Sequence, residues 1–344
     1  MTLLAEKHPI RDFFVADIFD NLGAAFKDDM ASMEHPIFVL SKKKDMRNLE
    51  YRKDGVSISI KPTTDGLPTI FDKDILLYCA SLLMTEINAG RMPPKTLRVS
   101  SHDLLVATNR QTNDDGYKRL KQALNRLTGV LINTNIKTNK REITKGFGIL
   151  DSYEVIESSK VKNRMVKLEI TLSDWFYNSI VGKEVLTINR DYFRLGKPME
   201  RRLYEIARKH CGRQHSWSIG LIPLMEKTGS TGTLRLFRSR MKIIAQDDHL
   251  PDYAITIDDS DKVTFISKNA GTDMQELLPL DDLPTISRKT LNTAARIVED
   301  AGTGWDFHTL HSEFTQSLIS GTFKPDNANG AFINFIKKKV KERP

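Results

Sequence analysis

The sequence predicts an α+β fold in which one unit is used twice: two tandem winged helix-turn-helix domains followed by a small helical C-terminal module. Three observations carry that expectation. In each copy a long amphipathic helix precedes a short strand, two helices around a tight polar turn, and two alternating strands. The second helix after the turn is rich in Arg and Lys both times. The charge follows the same division. Asn113–Lys145 holds eight Lys/Arg against three acidic residues and Gly196–Ala245 holds eleven against three, whereas Asp247–Asp282 reverses to ten acidic residues against Lys262 and Lys268. A nucleic-acid footprint concentrates cations in this way around the helices that read it.

Composition sets the frame. A chain of 344 residues, 40% hydrophobic and 28% charged, is long enough for two compact domains with extensions. Its net charge of +8 suits a polyanionic partner. The two cysteines, Cys79 and Cys211, each fall in a helical apolar pattern, as buried small hydrophobes in a reducing compartment do. No apolar run reaches the roughly 18 residues of a membrane span, and the N-terminus lacks the order of a secretory signal. The expected location is the cytoplasm, with no membrane partner.

The elements follow in order. Residues 1–50 read as an irregular N-terminal extension, with a short helix around Phe14–Phe26 and a basic patch, Ser41-Lys-Lys-Lys-Asp-Met-Arg47. The first winged-helix domain spans 51–182. It opens with an alternating strand over Tyr51–Lys61, then a helix capped by Asp72 and carrying Ile75, Leu76, Cys79, Leu82, Leu83 and Ile87 inward. Leu97–Val99 is a minimal strand, Asp103–Asn109 a short helix, and Asp115 to about Thr128 the reading helix. Tyr117, Leu120, Leu124 and Leu127 form its buried stripe, which leaves Lys118, Arg119, Gln122, Asn125 and Arg126 outward. Val130–Lys137 and Phe147–Ile156 would pair as the wing, with Lys140 and Arg141 at its basic tip. Val166–Leu172 and a short helix from Ser173 complete the domain.

The second domain spans 183–268. Pro198 sits at a helix start, and Met199, Leu203, Ile206, Ala207 and His210 line the inner face. Ser216–Ile219 is the short strand, Leu221–Lys227 the first helix and Gly229-Ser-Thr-Gly232 the turn. The reading helix Thr233–Gln246 buries Leu234, Phe237, Met241 and Ile244 and presents Arg235, Arg238, Ser239, Arg240 and Lys242. Tyr253–Ile257 and Lys262–Ser267 close it as a hairpin whose tip, Asp258-Asp-Ser-Asp261, is acidic and should be repelled by phosphate. An acidic linker (269–286) leads to the helical module (287–344), with helices over Ser287–Ala301, Phe307–Ile319 and Ala331–Glu342. That module is the candidate surface for a protein partner.

Catalytic signatures are missing. Gly229-Ser-Thr-Gly-Thr lacks the Lys-Ser/Thr of a phosphate loop, and His308 and His311 have no evident third ligand. The expectation is therefore no enzyme, no metal and no cofactor.

Four stretches carry a family resemblance: His35-Pro-Ile-Phe-Val-Leu-Ser-Lys, Thr69-Ile-Phe-Asp-Lys-Asp-Ile-Leu-Leu-Tyr78, Tyr117-Lys-Arg-Leu-Lys-Gln-Ala-Leu-Asn-Arg-Leu127 and Arg201-Arg-Leu-Tyr-Glu-Ile-Ala-Arg208. They resemble bacterial plasmid replication initiators of the replication initiator protein A group, over residues 30–270 and more weakly to Phe335. The resemblance implies a non-catalytic protein that binds repeated double-stranded origin sites, helps melt an adjacent segment and recruits host replication proteins such as the replicative helicase. It also implies dimerisation through the first domain and repression of the protein's own gene. The competing expectation within the same fold is a winged-helix transcriptional regulator without a replication role.

Overall fold

The computed structural model describes residues 3–8, 26–53, 55–136, 146–157, 165–212, 214–268, 288–301 and 327–341, with positions 310 and 314. The expected helix before Phe26, the basic tip with Lys140 and Arg141, the acidic linker and the pair His308 and His311 lie outside the described residues.

Residues 26–40, expected to be irregular, belong to the core. β1 (Lys27–Asp29) runs into α1 (Met30–Glu34), where Asp29 accepts the Ser32 backbone N–H at 2.8 Å and caps the helix. Phe26, Met33, Ile37 and Phe38 are buried. Elements of three and five residues are too short to show a period, so the sequence pattern misses them. The strand expected over Tyr51–Lys61 is a hairpin, β2 (Leu49–Lys53) and β3 (Val56–Lys61).

α2 (Lys73–Asn88) is buried along most of its length because β1 and two later helices cover it. β4 (Thr96–Ser100) leads to α3 (Ser101–Ala107), and a turn leads to α4 (Asp114–Gly129). Asn113 caps α4 by accepting the Gly116 N–H at 3.0 Å. A Cβ on Gly116 would sit 1.9 Å from the Gln111 carbonyl oxygen, so this turn closes only around a glycine.

The strands that follow depart from expectation. β5 (Leu131–Thr134) does not form a hairpin with β6 (Leu150–Glu157); one isolated bridge, Ile132 to Phe147, links the two segments. β5 instead adds to β3, giving a sheet of order β2-β3-β5. β6 pairs with β7 (Met165–Leu172), which also pairs with β4. Alternation marks which face of a strand is buried and leaves its partner open. α5 (Asp174–Val181), capped by Ser173, and β8 (Val185–Thr187) come next, and β8 pairs antiparallel with β1.

The remainder matches the expected succession. After a 3-10 turn (Arg190–Arg194) come α6 (Pro198–His210), β9 (Ser216–Gly220), α7 (Leu221–Thr228) and α8 (Leu234–Asp247). β10 (Tyr253–Ile257) and β11 (Lys262–Ser267) close it in the antiparallel order β10-β11-β9. Gly229 ends α7 at φ +72°, and a Cβ there would meet Pro36 Cβ at 2.8 Å. The corners between α3 and α4 and between α7 and α8 thus each depend on a glycine.

One continuous hydrophobic core runs from Phe26 to Phe265 and serves both halves. The seam within it is ionic. Lys73 Nζ of α2, fully buried, contacts Asp28 at 2.8 Å and Glu205 of α6 at 3.2 Å. The neighbouring Asp74 holds Arg201 of α6 at 2.5 Å and Arg110 at 2.7 Å. Arg202 donates to the carbonyl oxygens of Ser32, Met33, Glu34 and Lys227, which ties α1 and α7 to α6. Buried charges persist only when paired and hydrogen-bonded in this way.

A second unit, residues 269–344, has its own small core of Ala294, Val298, Leu310, Phe314, Phe332 and Ile336. Its described helices are α9 (Arg288–Ala301) and α10 (Ala328–Lys339), the latter ending in Lys337, Lys338 and Lys339. Among the described residues no helix is long and apolar enough to cross a membrane.

Candidate nucleic-acid interface

α4 separates its side chains cleanly. Tyr117, Leu120, Ala123, Leu124 and Leu127 are buried, and Lys118, Arg119, Lys121 and Gln122 are exposed. Lys118 and Arg119 make no ion pair among the described residues, so both are free to meet phosphate or a base edge. The sequence pattern passed over Lys121, which sits on the same exposed surface.

Asn125 and Arg126 stand apart from this group. Asn125 donates to Asp65 at 2.9 Å and accepts the Tyr153 hydroxyl. Arg126 forks onto Asp72, Nε to Oδ2 at 2.7 Å and Nη2 to Oδ1 at 2.8 Å. Burial works against its charge, but the Asp72 carboxylate holds the guanidinium above its ordinary pKa. Asp72 in turn accepts the Thr69 N–H at 2.8 Å, so the fork ties α4 to the chain entering α2. Arg126→Ala is expected to cost about 2–3 kcal/mol of stability by stranding Asp72. Urea denaturation checks it, and DNA sequence preference should be unchanged in whatever protein remains folded.

α8 presents Arg235, Ser239, Arg240 and Lys242, all exposed. Leu236 and Ile243 are exposed on the same helix, which mixes apolar with cationic side chains. Arg238 is engaged by the acidic tip of the β10–β11 hairpin: its Nε and Nη2 reach the two Asp261 oxygens at 2.6 and 2.5 Å. Each partner steadies the other's charge, raising the Arg238 pKa and lowering that of Asp261. Asp258 shapes the tip by accepting the Ser260 and Lys262 N–H groups. The tip therefore folds back on the helix that it follows. Asp261→Asn, which keeps a residue tolerant of the φ of +61° found there, is expected to raise duplex affinity about three- to tenfold by releasing one cation. A fluorescence-anisotropy titration that finds unchanged or weaker binding would count against the idea that Arg238 is held back.

The sequence pattern gave residues 3–8 no role. They form a strap across the α3–α4 turn. Lys7 N donates to Asn109 at 2.8 Å, Asn109 Nδ2 to the Ala5 carbonyl at 3.3 Å, and the His8 ring nitrogen lies 2.6 Å from the Arg110 carbonyl. At its other end Leu4 exchanges hydrogen bonds with Arg194 at 2.9 and 2.8 Å. Between this strap, the basic loop 42–44 and the start of α4 lies a cleft of about 640 Å³. Among the described residues no group of three or more His, Cys, Asp or Glu is placed to hold a metal ion.

Exposed cationic helices that each follow a tight turn, on one mixed α/β core, are the class of surface that suits a polyanionic partner. Comparison with known proteins narrows the class. Residues 27–255 match the family Replication initiator protein A, and the chain belongs to that family. It is 40% identical over 256 residues to a candidate replication protein of Wigglesworthia glossinidia brevipalpis, covering 73% of this chain and 91% of that one. Two crystal structures of domains 2 and 3 of RctB align with 70% of the chain, at TM-scores of 0.48 and 0.43 and identities of 11% and 14%; they cover 96% and 97% of those chains.

Proposed function

We propose that this replication initiator binds repeated double-stranded sites at its origin through two winged helix-turn-helix units. It then promotes local opening, recruits host replication proteins such as the replicative helicase, and represses its own gene as a dimer. On this reading it acts by binding and performs no catalysis of its own.

The observation that carries the reading is the second half. There α7, the Gly229 turn, α8 and the β10-β11-β9 sheet follow one another in the winged order, with Arg235, Ser239, Arg240 and Lys242 left exposed. The first half supports it through Lys118, Arg119 and Gln122 on α4, although its strands pair differently. The tip residues Lys140 and Arg141 complete the proposed first contact surface. Arg and Gln side chains read base edges, and Lys neutralises phosphates.

The test is binding of the purified protein to the region upstream of its own gene, against random duplex, at two salt concentrations. Preference of about a thousandfold or more, persisting at the higher salt, supports the reading. Equal binding that collapses with salt overturns it. Deleting residues 287–344 separates initiator from regulator: replication should be lost while duplex binding is retained.

A further inference from the structure

The cleft beside the first reading helix is lined by eight cationic side chains against three carboxylates. The three carboxylates are already engaged. Asp72 holds Arg126, Asp74 holds Arg110 and Arg201, and Asp65 accepts from Asn125. Lys7, Lys42, Lys43, Lys44 and Arg119 remain, and none of them makes an ion pair among the described residues. Lys42 lies over the Phe71 ring, at 5.4 Å, and Arg201 lies 4.6 Å from that ring's centroid.

The strap makes this crowding of cations deliberate in the fold. Its backbone is tied at Asn109, Arg110 and Arg194, and that anchoring carries Lys7 to the cleft wall beside Arg119. Partial burial first, then the charges of Arg110, Arg119 and Arg201, lower the Lys7 pKa. Cations held together without counter-charge repel one another unless an anion joins them. The volume admits a phosphate group with its substituents, and the walls offer ammonium and guanidinium donors, the groups that bind phosphate best.

We propose that this cleft is a binding site for a phosphate-bearing anion, either a backbone phosphate of the DNA that α4 meets or a free polyphosphate. The first source rests on the proposed function, because Arg119 and Gln122 belong to both the cleft and the reading helix. The second does not.

The experiment uses the full chain and the double variant Lys7→Ala/Lys43→Ala, whose residues lie outside the proposed reading face. A control, Lys337→Ala/Lys338→Ala, removes the same charge from α10. Inorganic triphosphate binding is measured by calorimetry, and the salt dependence of duplex affinity by anisotropy. If the anion is a DNA phosphate, the cleft variant lowers the slope of log affinity against log salt by about 1–2, and the control leaves it unchanged. If it is a free polyphosphate, the wild type binds triphosphate at one site, the cleft variant binds at least about tenfold more weakly, and the duplex slope does not move. The proposal is overturned if the cleft variant matches the control in both measurements. Triphosphate binding that depends on Lys7 and Lys43, in a protein with no preference for its own upstream DNA, would leave the cleft standing and remove the origin-binding reading instead.

Discussion

Lys73→Met is expected to destabilise the chain by about 3–5 kcal/mol, because it removes the one ammonium between two buried carboxylates. Lys73 is fully buried, and Asp28 and Glu205 are each 1% exposed at the side chain. Desolvation alone would lower the lysine pKa, yet the two carboxylates hold it above its ordinary value. Burial pushes the Asp28 carboxyl well up even with Lys73 beside it. Removing the ammonium takes away its charge and its hydrogen bond, the two influences from Lys73 that oppose that rise. A carboxyl whose folded pKa is raised binds its proton more tightly in the fold, so its contribution is present at low pH and lost as pH rises. The variant's deficit against wild type should therefore be smaller at acidic pH than at pH 8. Urea denaturation at both pH values checks this, and adding Asp28→Asn, which neutralises the carboxylate that Lys73 pairs, should recover part of the loss. A deficit under about 1 kcal/mol at pH 8 would mean that the cluster is dispensable.

The position of that cluster gives it a consequence for function. Lys73 and Asp74 open α2 in the first half, and Arg201, Arg202 and Glu205 lie on one stretch of α6 in the second. The long helices α2 and α6, which come before the cationic helices α4 and α8, are thus joined by charge as well as by apolar contact. A shared core with a paired ionic seam holds one arrangement of the halves, since sliding either helix would strand a buried charge.

None of this seam was legible in the sequence. Glu200, Arg201, Arg202 and Glu205 read as the solvated side of an amphipathic helix, yet all four are buried. The partners of Arg201 and Glu205 across the seam, Asp74 and Lys73, lie over a hundred positions away, and local periodicity carries no information at that range. The same reason misplaces Arg126 and Asn125. Helical spacing does turn them from the core stripe of α4, but Asp72 and Asp65 come from a preceding loop to meet them. What was legible was whatever depends on neighbours in the chain. Phe237, Met241 and Ile244 mark the buried stripe of α8, Thr233 and Ser173 mark caps, and the alternation of Tyr253–Ile257 against Lys262–Ser267 marks a hairpin. The basic run Lys42–Lys44 was visible as charge, and only the fold shows that it faces a cleft.

Replacing Arg119 and Arg235 together with Ala is expected to weaken binding to origin DNA by about a hundredfold, with each single change supplying about tenfold. The two residues sit on different helices and share no partner among the described residues, so their effects should add. Both are exposed, so the fold should be unaffected, which denaturation can verify. The pattern of loss then assigns the chemistry of each residue. A side chain that contacts phosphate lowers affinity for origin and random duplex alike and reduces the salt slope by about 1. A side chain that forks onto guanine lowers affinity for the origin alone and relaxes the preference at one base pair. Arg126→Ala serves as the contrast, because its charge is spent on Asp72: it should change stability and leave the slope in place. If the double variant binds origin DNA as the wild type does, neither α4 nor α8 reads DNA through these two residues, and the contact must rest on other side chains.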